Sequence, residues 1–477
     1  MKRFIVVLSL LSLVLIALVL FLINVKQNKP AKGPQILCDR QISEIAEIHI
    51  TNQYDNYSVY HEGGGFRIAS LPMDLVNPDY LLMLLDETAK VEYLQLVCRL
   101  DKSPAKSIST LAAYGLAQPI GTIIIRYTSG ESLTLLFGNE ESISRGQYFM
   151  TEGGDAVYLM DHSRVVRFLQ PLKRFFNLEI VPVRSVPSPL STIKNLTLSG
   201  RAFDKPIVIS EVNANDQEDA REAISFGATT HMIKSPHLHK IDETEAIDVF
   251  GSLSGLLNID VLDYNCSDAK LAEYGFNDPL VKAEYDYTKD KVSDPVKIVL
   301  KATMYQGNYI VVRDDERVVH RIEKKPFLDT SYEKLVSRWF LTPFITDVQS
   351  IDIRLNGNDH HLELLGKDNR SLEATLDSKK LDTDQFRKFY TLLVSASRDE
   401  LLPKGTVPTS PAILTVTFNY RDPLKKPDTV SFSPGGLRRL YVTVNGLTEF
   451  SCLARYAQVT DAALTALAKG EDFTTDW

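Results

Sequence analysis

An α+β body of three tandem modules, each an antiparallel β-sheet with one or two packed helices, is the fold this sequence predicts, carried on one N-terminal transmembrane helix. Three observations predict it. An apolar pattern with the spacing of a β-strand recurs at Ile45-x-x-Ile48-x-Ile50, Ile193-x-x-Leu196-x-Leu198 and Val348-x-x-Ile351-x-Ile353, about 150 residues apart, which is the size of a domain rather than of a solenoid repeat. A polar-capped helix follows each pattern. A nine-residue segment with the chemistry of a helix stop then appears twice, as Leu111 to Pro119 and Leu271 to Pro279.

Residues 4–25 carry no charge and only Ser9, Ser12 and Asn24 as polar side chains. Such a run, about 22 residues or ~33 Å as a helix, spans a bilayer. A cleaved signal peptide has a shorter apolar core and small residues before its cut. Here Ala31-Lys32-Gly33 is followed by Pro34, which hinders cleavage, and no small residues precede Cys38 as a lipidation site requires. An uncleaved anchor at 4–25 is therefore expected, with a cytoplasmic tail at 1–3 and a linker at 26–41. Lys2 and Arg3 precede the helix while Lys26, Lys29, Lys32 and Arg40 follow it, so the positive-inside count favours neither orientation. The short basic start before a long apolar run is the pattern of a signal anchor and places the body outside the cytoplasm. The expected location is the cell membrane, single-pass, with the bilayer itself as a partner.

Module 1 is expected at 42–184, module 2 at 185–346 and a degenerate module 3 at 347–477. In each, the recurring apolar pattern opens the module as a strand. The helices that follow start at Asn77-Pro78-Asp79, Asp242 and Asp382. Asparagine or aspartate there accepts hydrogen bonds from free backbone amides, and proline suits the first helical turn. In the stop segments, Gly115 and Gly275 can take the left-handed conformation that ends a helix. Leu116 should then fold back on Leu111, and Phe276 on Leu271. Pro119 and Pro279 block helix continuation and release the chain into strands at 122–127 and 282–287. Tyr114 and Tyr274 complete the segment, and the alternative to a folding role is a substrate-binding Tyr-Gly loop.

Further strands are expected at 133–137, 147–150 and 157–160, then at 297–300, 309–312 and 318–322, and finally at 413–420, 429–432, 440–444 and 449–452. Module 3 has Pro411 where the others have Pro119 and Pro279, but Leu401-Leu402-Pro403-Lys404-Gly405 replaces the Tyr-Gly pair. Modules 1 and 2 close alike, with Leu172 to Phe176 matching Val336 to Phe340. These aromatics fill cores or junctions, or form an exposed docking surface.

Together these landmarks resemble a bacterial family known as domain of unknown function 4340. Its modules carry a Leu-x-x-Tyr-Gly-Leu-x-x-Pro stop, then strands around a Gly and a Tyr-Phe or Tyr-Val pair. Here those residues are Leu111 to Pro119, Gly138, Tyr148 and Phe149, with Leu271 to Pro279 as a second match. The resemblance covers roughly residues 45–346 well and the remainder weakly. It implies a membrane-anchored protein encoded beside components of ABC transporters of the gliding-motility type, hence transporter subunits as partners.

The composition sets limits on the chemistry. With a net charge of −8 and interleaved signs, the chain has no basic stripe for a nucleic-acid backbone. Cys38, Cys98, Cys266 and Cys452 form no Cys-x-x-Cys pair, so neither a zinc cage nor a thioredoxin-like site is indicated. Buried thiols are expected, with a Cys38–Cys98 disulfide as the alternative for a body outside the cell. Serine-hydrolase elbows, phosphate loops and His-Glu-x-x-His helices are missing from the sequence. His61-Glu62-Gly63-Gly64-Gly65 reads as a hairpin turn between strands rather than a phosphate cradle. Paired carboxylates such as Glu140-Glu141 and Asp314-Asp315 fall between strands, where charged turns are ordinary.

The weak metal candidate is His231, His237 and His239, since the last two alternate and would face one side of a strand. Against it stand Lys234 and Lys240, and the alternative is a solvated segment leading into the Asp242 helix. His360-His361 has no supporting carboxylate pattern. The expectation is a protein with no catalytic residue and no cofactor, an extracytoplasmic accessory or scaffold of a membrane assembly. The alternative is a protein binding a cell-envelope polymer, with Trp339 or Tyr114 stacking on it, and after that an enzyme with a noncanonical site.

Overall fold

The opening strands explain why their apolar residues are spaced three and then two apart. Strand Ile45–Asn52 pairs with Gly121–Tyr127, Ile193–Ser199 with Val281–Tyr287, and Val348–Leu355 with Leu414–Tyr420, all antiparallel. Each pairing shifts register after its first residue, between Ile45 and Glu47, Ile193 and Leu196, and Val348 and Ser350. A β-bulge inserts one residue and restores the inward face one position later. Ile45, Ile48 and Ile50 are thus all fully buried, as are their counterparts through Val348, Ile351 and Ile353. The spacing that marks the repeat is the mark of a bulge.

The computed structural model describes residues 33–477 apart from Ser70, Ser144, Arg145, Lys291 and Lys367. The expected anchor at 4–25, the tail before it and the start of the linker lie outside the described residues. Among the described residues no helix is long and apolar enough to cross a membrane. The fold is α+β, with four antiparallel sheets and nine α-helices among these residues. Four sheets stand where three were expected. The additional one has two strands, Gln35–Asp39 paired with Lys90–Tyr93, so part of the expected linker is a strand.

The chain divides into two compact units, residues up to Leu178 and residues 179–477. The first holds an eight-stranded sheet and the second two nine-stranded sheets, all with one strand logic. The opening strand sits near the middle and the chain meanders outward from it on one side. A helix then carries the chain over the sheet to the far edge: Pro78–Ala89, Glu243–Leu253 or Thr383–Val394. An edge strand follows, Gln95–Arg99, Asp260–Asp263 or Glu400–Leu401. Finally the chain returns beside the opening strand and meanders back to that edge.

The helix starts are capped as expected. Asn77 Oδ1 accepts from Asp79 N at 3.0 Å, Asp242 Oδ1 from Thr244 N at 3.0 Å and Glu245 N at 3.2 Å, and Asp382 Oδ1 from Gln385 N at 2.9 Å. Each carrier helix buries its apolar stripe, for example Ala246, Val249, Phe250 and Leu253. In the first unit the carrier helix also buries Glu87 at 3% exposure, held by Arg164 at 2.7 Å and Arg167 at 2.5 Å from helix His162–Phe168.

Both stop segments close by the same pair of bonds. Leu116 N donates to Leu111 O at 2.8 Å and Gly115 N to Ala112 O at 3.2 Å; Phe276 N donates to Leu271 O at 3.1 Å and Gly275 N to Ala272 O at 2.9 Å. Gly115 has φ +72° and Gly275 φ +91°. This is the Schellman arrangement, which satisfies the last carbonyls of a helix and needs a left-handed residue after it. Leu116 and Phe276 are buried, each in a small cluster that includes Leu111 or Leu271. In the first unit the stop docks on the sheet, where Asn139 N donates to Tyr114 O at 2.8 Å and Tyr114 meets Tyr148 edge-on at 4.7 Å. A side chain on Gly138 would overlap the Tyr114 carbonyl, so the glycine of the resemblance motif makes room for the stop.

Candidate functional site

In residues 179–477 the two large sheets share one hydrophobic core, running from Leu196 and Phe250 to Phe389 and Phe432. Their junction is also locked by charge. Asp428, 3% exposed, accepts from Ser225 Oγ and Tyr420 Oη at 2.5 Å each, from Lys425 Nζ at 3.0 Å and, through its other oxygen, from Asn445 Nδ2 at 2.8 Å. Burial and the adjacent carboxylate push the Tyr420 hydroxyl well above its ordinary range, so it stays a donor. Arg221 Nε reaches Asp422 at 2.9 Å across the same junction.

The junction leaves two adjoining cavities of about 530 and 720 Å³, sizes within the range of ligand sites. They share His237, Leu447 and Glu449. The first is walled by Phe203, Ile207 and Pro236 from one sheet region and by Leu402, Pro403 and Leu447 from the other. The residues 401–405 that replace a Tyr-Gly stop in module 3 therefore line a cavity. Leu402 N donates to Glu449 O at 2.7 Å, tying this turn to strand Leu447–Leu453. An exposed ion pair, Lys404 Nζ to Asp204 Oδ2 at 2.7 Å, joins the two walls.

Glu449 stands where the cavities meet, its side chain 13% exposed. His239 Nε2 lies 2.8 Å from Oε2, His237 Nε2 3.4 Å from Oε1, and Tyr332 Oη 3.4 Å from both oxygens. Burial, and then the Glu449 charge, hold the Tyr332 hydroxyl protonated far above its usual range. His239 is packed edge-on against Phe450 at 5.7 Å.

The three candidate histidines are thus divided. His231, 1% exposed, lies apart in strand His231–Ser235, its Nε2 bonded to Ile193 O at 2.9 Å and its Nδ1 3.1 Å from Thr230 Oγ1. His237 is in a bend after Pro236, and of the alternating pair only His239 is in a strand, so the two do not share one strand face. The solvated alternative fails too, because His231 and His239 are buried. Lys234, expected to oppose a cation, is paired with Asp219 at 2.7 Å and Glu222 at 2.5 Å. Among the described residues no group of three or more His, Cys, Asp or Glu is placed to hold a metal ion. His360 and His361 do have carboxylates, Asp377 at 3.0 Å from the turn after strand Glu373–Leu376 and Asp352 at 2.7 Å from strand Val348–Leu355.

Burial dominates the downward shift of His231, so the folded chain keeps it neutral. The unfolded chain binds a proton there near pH 6.5 and the folded chain only at lower pH. Stability is unaffected above that value and falls as pH drops below it, by at most about 1.4 kcal/mol per pH unit. His231→Gln should therefore flatten the loss of urea stability between pH 7 and pH 5. An unchanged slope would contradict the assignment.

The four cysteines are free thiols. Burial pushes Cys266 up to about 11 and Cys452 up to about 12, which leaves both protonated and unreactive at neutral pH. Cys38 Sγ lies 3.4 Å from Tyr127 Oη, and Cys98 packs in the cluster with Tyr114. Of the two aromatics considered for stacking on a polymer, Tyr114 is taken up by that cluster and Trp339 is 50% exposed. Phe175, Phe176 and Phe340, from the matching module ends, are buried.

Sequence reasoning missed Glu449 and Tyr332. Each is an ordinary residue in its own stretch, and only the pairing of segments 117 and 210 positions apart brings them to one point.

No curated protein and no solved structure matches this chain. Residues 85–279, from the first carrier helix to the proline that ends the second helix stop, match the model of the family described as Domain of unknown function (DUF4340).

Proposed function

We propose that this chain is a noncatalytic scaffold or accessory subunit of a membrane assembly, anchored by residues 4–25 with its body outside the cytoplasm, and that the assembly is an ABC transporter of the gliding-motility type. The observation that carries the binding role is the cleft at the junction of residues 179–477. Its walls come from two sheet regions locked through Asp428, and its lining joins Glu449, His237 and Tyr332 to apolar side chains, with His239 bonded to Glu449 behind them. A pre-formed concave site with a few convergent polar groups is the usual form of a recognition site. Tethering by the apolar run would raise its effective concentration near membrane partners. The transporter itself rests on the family resemblance.

Crosslinking in intact membranes, followed by affinity capture of this chain, should recover transporter subunits. Recovery of no membrane or envelope protein would contradict the reading. Binding to a cell-envelope polymer is the second reading, favoured by the half-exposed ring of Trp339. Retention on purified envelope polysaccharide, lost in Trp339→Ala and accompanied by no captured protein, would select it.

A further inference from the structure

We infer that the smaller cavity accepts a lysine or arginine side chain carried on an apolar segment of a partner protein. The inference rests on the cleft reading above and adds the chemistry of its occupant. Glu449 Oε2 has one bond of ordinary length, 2.8 Å from His239, whereas the contacts to Oε1 from Tyr332 and His237 are both 3.4 Å. Hydrogen bonds to a carboxylate settle at about 2.7–2.9 Å, so Oε1 retains capacity for a closer donor. The side chain is nearly buried, and a carboxylate in such a place is stabilised most by a cation with its own hydrogen bonds. An anion would meet Glu449 directly.

The rest of the cavity fits the remainder of such a segment. Phe203, Ile207, Leu402, Pro403 and Leu447 offer apolar contact to the methylene stem and to neighbouring side chains. About 530 Å³ holds one long side chain with parts of its neighbours, not a folded domain. The charges at the mouth do not reverse the preference, because Lys404 is matched by Asp204 and Lys205 is exposed to solvent.

Panning a phage-displayed random heptapeptide library on the full chain in lipid nanodiscs tests this. Enriched peptides should carry a lysine or arginine flanked by apolar residues. A synthetic copy should bind at least 10-fold more weakly to Glu449→Gln, and changing its basic residue to glutamine should cost the same without adding to that loss. No enrichment, an acidic or purely apolar consensus, or binding indifferent to Glu449→Gln would overturn the inference. Leu402→Trp, which fills the cavity, separates the two claims. If it blocks the selected peptides while Glu449→Gln does not, the cation preference fails and the cleft stands. If it blocks nothing, the cleft itself is excluded.

Discussion

Asp428→Ala is expected to destabilise residues 179–477 by about 3–5 kcal/mol, the range for removing one partner of a buried, hydrogen-bonded charge network. The carboxylate is almost inaccessible and takes four donors, from Ser225, Tyr420, Lys425 and Asn445. Its loss strands the Lys425 ammonium, 12% exposed, and three neutral donors, each of which costs about 1–3 kcal/mol if left unsatisfied. Water entering the gap recovers part of that, which keeps the total near the stated range. The chain has two tryptophans, Trp339 and Trp477, and both belong to this unit. Tryptophan fluorescence during urea unfolding therefore reports on it alone, and an unmoved midpoint would show that the junction is held by the apolar core only. Asp428→Asn keeps the shape and one acceptor oxygen, which at the Oδ2 position still serves Ser225, Tyr420 and Lys425, and should cost less than the alanine.

The second large effect separates two glycines that look interchangeable in the sequence. Gly115 and Gly275 both take a left-handed φ, so alanine costs about 1–2 kcal/mol at either from backbone strain. At Gly275 the added methyl has its nearest neighbour at 3.7 Å, in Thr303, and nothing more is lost. At Gly115 it would overlap the Asn139 side chain and lie 2.8 Å from Asn139 N, adding about 1–3 kcal/mol of overpacking. Hydrogen exchange should show helix Pro104–Ala113 and the docked turn opening far more in Gly115→Ala than the matching segment does in Gly275→Ala. Equal effects would mean that the stop does not dock on Asn139.

What could be read in advance follows from the range of the interactions. Helix caps and stops act over a few residues, so Asn77, Asp242, Asp382 and both Tyr-Gly segments announced their roles in the sequence. Alternation exposed the opening strands, although the bulge behind the three-then-two spacing emerged only from the pairing. The edge strands Gln95–Arg99, Asp260–Asp263 and Glu400–Leu401 went unseen because they are short and take their identity from the strand beside them. Helix Arg455–Lys469 also went unrecognised; no side chain caps its start. The site was the least legible part. The spacing of His237 and His239 marks them in the sequence, but their shared partner Glu449 lies more than two hundred residues on, and His231, close to them in the chain, is a core residue bonded to Ile193.

The degenerate third module also gains a physical meaning. In the two complete stops, a helix and its Tyr-Gly turn cover a small apolar cluster on their sheet. The corresponding stretch after Glu400–Leu401 is instead the turn at 401–405, which lines the cleft and reaches Asp204. Loss of the stop and presence of a cavity wall are the same structural event.

Site-specific photocrosslinking tests the central claim, that this cleft is where the chain holds its partner, most directly. A benzophenone side chain placed at Lys205, at the exposed rim of the cleft, is compared in intact membranes with one at Glu363, exposed on the third sheet. A discrete adduct with a membrane protein is predicted from position 205, weakened by Glu449→Gln and blocked by Leu402→Trp, and none from position 363. Adducts of equal yield from both positions, or from 363 alone, would contradict the claim.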